Sequence, residues 1–314
     1  TRKESSAASD VYKRQLEEQN QVGMRLASDG KIQFFDAQSM EALTTIDLPL
    51  PAGTEVVSVG EDQPGSHRVA LGLSNGQALV FEHAYRITYP DDVKTITPSI
   101  VYPFGEAPLT IDPQGRPLEH MGISVNSGTL LIAGSVGSEL QVLSLSREEN
   151  MMTGEVEVSE ERLALPQIAE PIKELIIEPR QHWLFVINGR ATADVFDLRA
   201  KALNGRYKLL NDGAREVTHV TSLLGGISLL IGDSAGGISQ WFMVRDEDGK
   251  SDLKQVREFK MADSPVSQII PEERRKGFIA LDEKGNLGIF HSTAHRTLLV
   301  LSLIHISEPT RQAE

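Results

Sequence analysis

Four stretches of this chain carry residue types that chemistry uses, and a pair of tryptophans completes the set. His291 and His295 stand four residues apart, the spacing at which a helix presents two imidazoles to one metal ion. The segment around them reads as strand and turn, where the two side chains need not converge. No glutamate follows the first histidine, so the pair reads as hydrogen-bonded groups at a strand end. Asp246-Glu247-Asp248-Gly249 opens like a calcium loop, but Arg257 holds the twelfth position, where such a loop needs a bidentate glutamate. It reads as a hairpin turn. Gly232 to Gly237 is glycine-rich enough to cradle a phosphate, yet no helix start and no Lys-Ser/Thr pair follows. Arg274, Arg275 and Lys276, beside Glu272 and Glu273, form a small basic cluster that reads as a solvated turn rather than an anion site. Trp183 and Trp241 fall at packing positions. No Ser/His/Asp set and no isolated carboxylate pair is present, so the expectation is a non-enzyme without catalytic, cofactor-binding or metal residues, and with substrate residues unknown.

The elements that carry these residues are short and β-rich. Thr221–Lys260 shows the pattern once in full: an apolar run, a glycine-rich turn, an alternating run, an Asp-Gly turn and a second alternating run. Glycine supplies the positive φ that tight hairpins need, so the stretch predicts an antiparallel meander. Turn glycines at Gly30, Gly76, Gly137, Gly189, Gly237 and Gly285 lie 46, 61, 52, 48 and 48 residues apart. A period of about 40–50 residues with four short strands per unit is that of β-propeller blades. Each unit runs from an apolar triplet through its turn to an aromatic (Phe35, Phe81, Phe196, Phe242 and Phe290), with Leu143 instead in the third. The expected fold is an all-β propeller of WD-repeat-like four-stranded blades, about six represented, in an incomplete ring. The six prolines of residues 89–117 predict a long excursion between units, and acidic 148–161 an interruption before Leu163.

Composition narrows the partners. A net charge of −13 opposes nucleic-acid binding, which needs a basic face. The chain has no cysteine, which excludes disulfides and thiolate metal sites. The longest apolar candidate, Leu223–Ile231, is far shorter than the roughly 18 residues of a membrane span.

The two ends read as translated sequencing adapters rather than protein. Ser5–Gln15 (SSAASDVYKRQ) and Leu301–Arg311 (LSLIHISEPTR) match the two adapters of one transposase-based library chemistry, in the right orientations. Residues 1–15 and 301–314 are therefore expected to be adapter-derived, with 16–300 a soluble propeller-like piece of a longer reading frame.

Gly236–Asp246 (GGISQWFMVRD) and Arg274–Leu299 (RRKGFIALDEKGNLGIFHSTAHRTLL) resemble the large domain inserted after the first transmembrane helix of PstC-type phosphate ABC transporter permeases. That resemblance implies a membrane-embedded parent protein in a bacterial inner membrane, with this domain on the periplasmic side. Its implied partners are a second permease subunit, ATPase subunits and a periplasmic phosphate-binding protein. The implied role is non-catalytic interaction or regulation in phosphate import, with no phosphate-binding residue in this piece. The alternatives are a free-standing propeller that scaffolds other proteins and, behind it, a propeller enzyme.

Overall fold

The computed structural model describes residues 11–17, 22–149, 156–189, 191–223, 225–272 and 275–302. They form an all-β propeller of six antiparallel blades, in each of which sequence neighbours pair. Blade 1 is β1 (Val11–Glu17), β2 (Val22–Ala27), β3 (Lys31–Asp36) and β4 (Ala42–Asp47). Blade 2 is β5 (Val56–Glu61), β6 (Arg68–Leu73), β7 (Gln77–Thr88) and β8 (Thr95–Val101), with β9 (Leu109–Thr110) pairing β7. Blade 3 is β10 (His120–Asn126), β11 (Thr129–Val136), β12 (Glu139–Glu149) and β13 (Val156–Leu163). Blade 4 is β14 (Ile172–Ile177), β15 (Trp183–Asn188), β16 (Thr192–Asp197) and β17 (Ala202–Lys208). Blade 5 is β18 (Val217–Ser222), β19 (Ser228–Asp233), β20 (Gly237–Arg245) and β21 (Ser251–Lys260). Blade 6 is β22 (Val266–Pro271), β23 (Gly277–Asp282), β24 (Asn286–His291) and β25 (Arg296–Ser302).

Strands are called a to d in chain order within each blade. Meander geometry then places a–b and c–d turns at one end of a blade, and b–c turns and d–a connectors at the other. The blades group into two compact units, residues 1–62 with 67–167 and residues 63–66 with 168–314.

Strand pleat explains the cores. Successive side chains of a strand point to opposite faces, so each second strand serves two neighbours. In β6, Val69, Leu71 and Leu73 join blade 1, while Ala70 joins blade 3. In β19, Leu229 and Ile231 join blade 4, while Leu230 joins blade 6. Trp183 and Trp241 are both buried between blades 4 and 5, as their packing positions predict. Burying both faces of these middle strands against neighbours is what a single sheet cannot achieve alone.

Three details differ from the sequence reading. The excursion over 89–117 contains strand d of blade 2, split between β8 and β9. Acidic 156–163 is not an interruption but strand d of blade 3, paired along β12. Two turn glycines are misplaced: the left-handed residues are Ala191 (φ 55°) rather than Gly189, and Gly236 (φ 80°) rather than Gly237. The backbone of Val11–Gln15, inside the segment read as adapter-derived, pairs with β2 as part of β1.

Candidate functional site

The residues that looked chemical are held in turns. His291 closes β24, and its Nδ1 accepts the N–H of Ala294 at 3.2 Å. His295 instead donates Nε2–H to the Glu258 carbonyl at 2.8 Å and sits edge-on to Phe259. The imidazoles have different partners, and no group of three or more metal-ligating side chains occurs among the described residues. Blades 1 and 4 show what His291 does. Asp36 Oδ1 accepts Gln38 and Ser39 N–H at 2.9 and 2.8 Å. Asp197 Oδ1 accepts Arg199 and Ala200 N–H, each at 2.9 Å. In all three turns the fourth residue onward is left-handed: Met40 (φ 61°), Lys201 (φ 52°) and His295 (φ 48°). The two histidines are one copy of a repeated c–d turn. Both N–H donors hold the Asp36 carboxyl below its ordinary value, Ser39 most strongly.

The Asp246 loop is a hairpin tip. Asp246 N–H donates to the Lys250 carbonyl, and Lys250 N–H returns to Asp246 Oδ1 at 2.7 Å, with Gly249 left-handed (φ 82°). Gly232–Gly237 is the b–c turn of blade 5. Asp233 Oδ1 accepts Ala235 and Gly237 N–H at 2.7 and 3.0 Å. Asp282 does the same in blade 6 for Lys284 and Asn286 N–H, at 3.0 and 2.7 Å. An Asx side chain bonding its own turn favours that turn, which explains why these buried carboxylates need no ligand. In the basic cluster, Arg274 and Glu273 lie outside the described residues. Arg275 is 79 % exposed, with Nε 3.7 Å from Glu272 Oε1.

Other buried polar groups are likewise engaged. Arg206 grips Asp194 with two bonds of 2.6 and 3.0 Å. Arg116 grips Asp112 and also Glu139, and its hydrogen bond is the main cause that holds the Asp112 carboxyl low. Arg162 reaches the Thr110 and Ile111 carbonyls, pinning the excursion of blade 2 to blade 3. Gln240 accepts Ser292 Oγ–H at 2.7 Å and donates to Ser228, tying blade 6 to blade 5. His83 is one of several exceptions among the described residues. It is 5 % exposed, packs edge-on to His67 at 4.6 Å and leaves Nδ1 without a hydrogen-bond partner among the described residues. Burial, helped by the neighbouring His67, lowers its pKa to about 4.

One outward feature is apolar. β6 pairs β7 only up to Glu82, whereas β8 continues along β7 to Thr88. The β7–β8 hairpin therefore projects past β6, the second strand of its blade. It carries Tyr89 (65 % exposed), Val93 (63 %) and Ile87 (39 %). Between them Asp91 and Asp92 are left-handed, with φ 51° and 62°. Non-glycine residues in that region store backbone strain of about 1–3 kcal/mol and cluster at functional loops. The sequence signalled this tip only as a proline-rich stretch.

No protein-family model and no curated protein sequence matches the chain. Solved structures match its fold. The Myceliophteria thermophila Cps50 (Swd1) β-propeller domain superimposes with TM-score 0.58 at 11 % identity, over 93 % of this chain and 86 % of that one. A chain of the Mitotic Checkpoint Complex gives 0.51 at 14 % identity, over 90 % of this chain and 74 % of that one. Chaetomium thermophilum Raptor gives 0.58 at 16 % identity, over 93 % of this chain but 24 % of that one. At such identities the likeness is one of fold: a WD40-like β-propeller.

These matches overturn the phosphate-permease resemblance. The neighbours are propellers of other proteins, and among the described residues no helix is long and apolar enough to cross a membrane. The physical reason lies in the residues that carried it. Gly236–Asp246 is a b–c turn and a third strand, and the described part of 274–299 is the hairpin sequence of blade 6. Such phrases serve blade geometry in any propeller. The ABC transporter, its permease and ATPase subunits, the periplasmic phosphate-binding protein and the inner-membrane and periplasmic placement all fall with the resemblance.

Proposed function

We propose that this chain is a non-catalytic propeller that holds other proteins. The observation that carries the reading is the β7–β8 hairpin, which projects from blade 2 with Tyr89, Val93 and Ile87 turned to solvent around two strained acidic residues. Large apolar side chains on a projecting, strained tip suit insertion into a partner. Support also comes from His291, His295, Asp246 and Asp233, whose side chains are bound up in turns and blade packing. Two of the matched structures have names that speak of a complex or a propeller domain, and both are this fold.

The test is site-specific photo-crosslinking of the full chain in its native extract. A photoreactive residue at position 89 is expected to yield discrete protein adducts that a control at exposed Lys201 does not. Val93→Asp should abolish those adducts without changing the melting temperature. Identical adducts at both positions, or adducts indifferent to Val93→Asp, would refute the role of the hairpin.

A further inference from the structure

We infer that His67 and His83 are the two protein ligands of a zinc site that clips the start of β6 to β7 in blade 2. The inference does not depend on the protein-binding reading above. β6 and β7 pair in register up to Arg68 opposite Glu82. One step further the His83 N–H donates to the His67 carbonyl at 3.1 Å, so the two histidines stand opposite each other at the end of the ladder. Directly opposed residues of an antiparallel pair hold their Cβ atoms about 4.5–5.5 Å apart. Zn–N bonds of about 2.0–2.1 Å in a tetrahedral shell put two ligand nitrogens about 3.4 Å apart, a span that opposed imidazoles can close. The two rings already touch edge-on, with centroids 4.6 Å apart.

The surroundings suit a metal ion. By strand pleat His83 shares a face with Phe81 and Tyr85, and that face packs against blade 1, where Phe34 meets Tyr85 edge-on. Tyr85 is also edge-on to both histidines. Inside this aromatic wall His83 Nδ1 is buried without a hydrogen-bond partner among the described residues. A buried polar atom left in that state costs stability, which a bond to a metal recovers. Burial also opposes protonation of His83, and the neutral imidazole is the form that binds zinc. Two protons on touching rings repel each other, whereas one divalent ion serves both. Arg68 and Glu82 lie on the other face of the strands, where the guanidinium is held by Glu82 Oε2 at 3.2 Å and Asp62 Oδ2 at 3.4 Å. His67 is only half-buried, which gives an ion a way in from solvent. No group of three ligating side chains forms among the described residues, so water completes the shell and the ion is exchangeable. Imidazole ligands favour zinc over magnesium or calcium, which prefer oxygen.

Isothermal titration of the full chain with zinc chloride tests this. One ion per chain is expected to bind, and magnesium chloride should give no heat of binding. His83→Phe keeps an aromatic ring in the packing, and His67→Asn suits the left-handed backbone there (φ 58°). Loss of even an outer-shell partner weakens metal sites about 10–100-fold, so each variant should lose at least about tenfold in zinc affinity. His291→Ala should bind zinc as wild type does. On the wild-type chain alone, zinc should protect His67 from carbethoxylation by diethyl pyrocarbonate, read by peptide mass spectrometry, while His291 and His295 stay reactive. Absence of zinc binding overturns the inference, as does unchanged affinity in either His67→Asn or His83→Phe, or an equal loss in His291→Ala. Should a variant unfold, the protection pattern decides: zinc that shields His291 and His295 but not His67 refutes the site.

Discussion

The two ends of a blade follow different rules. At the b–c end the same device recurs: a three-residue turn closed by a left-handed residue, Gly30, Gly76, Ala191, Gly236 or Gly285, with an Asx side chain bonded to the turn. At the a–b and c–d end repetition is confined to the c–d turns of blades 1, 4 and 6. Blade 3 turns there through Ser127 and Gly128, blade 2 projects a strained hairpin, and blades 5 and 6 present Ile227 beside Lys276. Repetition marks the end that builds the propeller. Variation marks the end free to acquire partners, since loops held by a rigid scaffold tolerate change.

The comparison is sharpest between two glycines of blade 5 with nearly the same backbone angle. Gly236 (φ 80°) is at the b–c end, and a Cβ there would overlap the Ala262 carbonyl oxygen. Gly236→Ala is expected to destabilise the chain by about 4 kcal/mol, combining left-handed strain with a backbone clash. Gly225 (φ 83°) is at the a–b end, where nothing but Lys276 and Ile227 side chains approaches. Gly225→Ala should cost about 1 kcal/mol, the strain alone. Chemical denaturation measures both, and equal losses would remove the distinction between the ends. Next in size is Asp282→Ala, which strips the bonds to Lys284 N–H, Asn286 N–H and Asn286 Nδ2. About 2 kcal/mol should be lost.

Acid should find the a–b end first. His83 packs edge-on to His67, which follows the a–b loop of blade 2, and burial lowers its pKa from 6.5 to about 4. Below pH 6.5 the unfolded chain takes up a proton that folded His83 refuses, so stability falls with pH by up to about 1.4 kcal/mol per unit until about pH 4. Above pH 6.5 the group contributes no slope. His83→Phe should flatten the melting temperature between pH 6.5 and 5 relative to wild type. An unchanged slope in the variant would assign the acid sensitivity to other groups.

How legible each region was in the sequence follows the same division. Turn glycines and the apolar second and third strands gave away the propeller, because both faces of those strands are buried and glycine has few substitutes at positive φ. Ala191 shows the limit of that signal, since a left-handed alanine leaves no mark and the neighbouring Gly189 misleads. Fourth strands were the hardest to see. β13 (VEVSEERL) and β17 (ALNGRYK) lie at blade edges, so their exposed faces carry charge and the alternation fades. β8 is further disguised by Pro98. Recurrent bulges, such as Phe34/Phe35, Val195/Phe196 and Ile289/Phe290, have no residue signature at all. Arg275 and Lys276 stood out in the sequence as charge, but Ile227 comes beside Lys276 only through the fold.

The smallest expected effect asks whether c–d turns are really variable or merely share an imperfect copy. His291 occupies the position of Asp36 and Asp197, yet its Nδ1 takes one N–H at 3.2 Å where each aspartate takes two at 2.8–2.9 Å. A carboxylate at 291 should recover the second bond. His291→Asp is therefore expected to raise stability by about 1 kcal/mol, or roughly 2–4 °C in melting temperature. His291→Ala, which removes the acceptor, should move it the other way. Both shifts together would show that blades 1, 4 and 6 share one interchangeable turn, leaving only blades 2, 3 and 5 with extended hairpins. A loss in His291→Asp would mean that the blade 6 turn has its own requirement. Zinc that stabilised wild type but not His291→Asp would supply that requirement, by restoring the two-histidine pair as a ligand set.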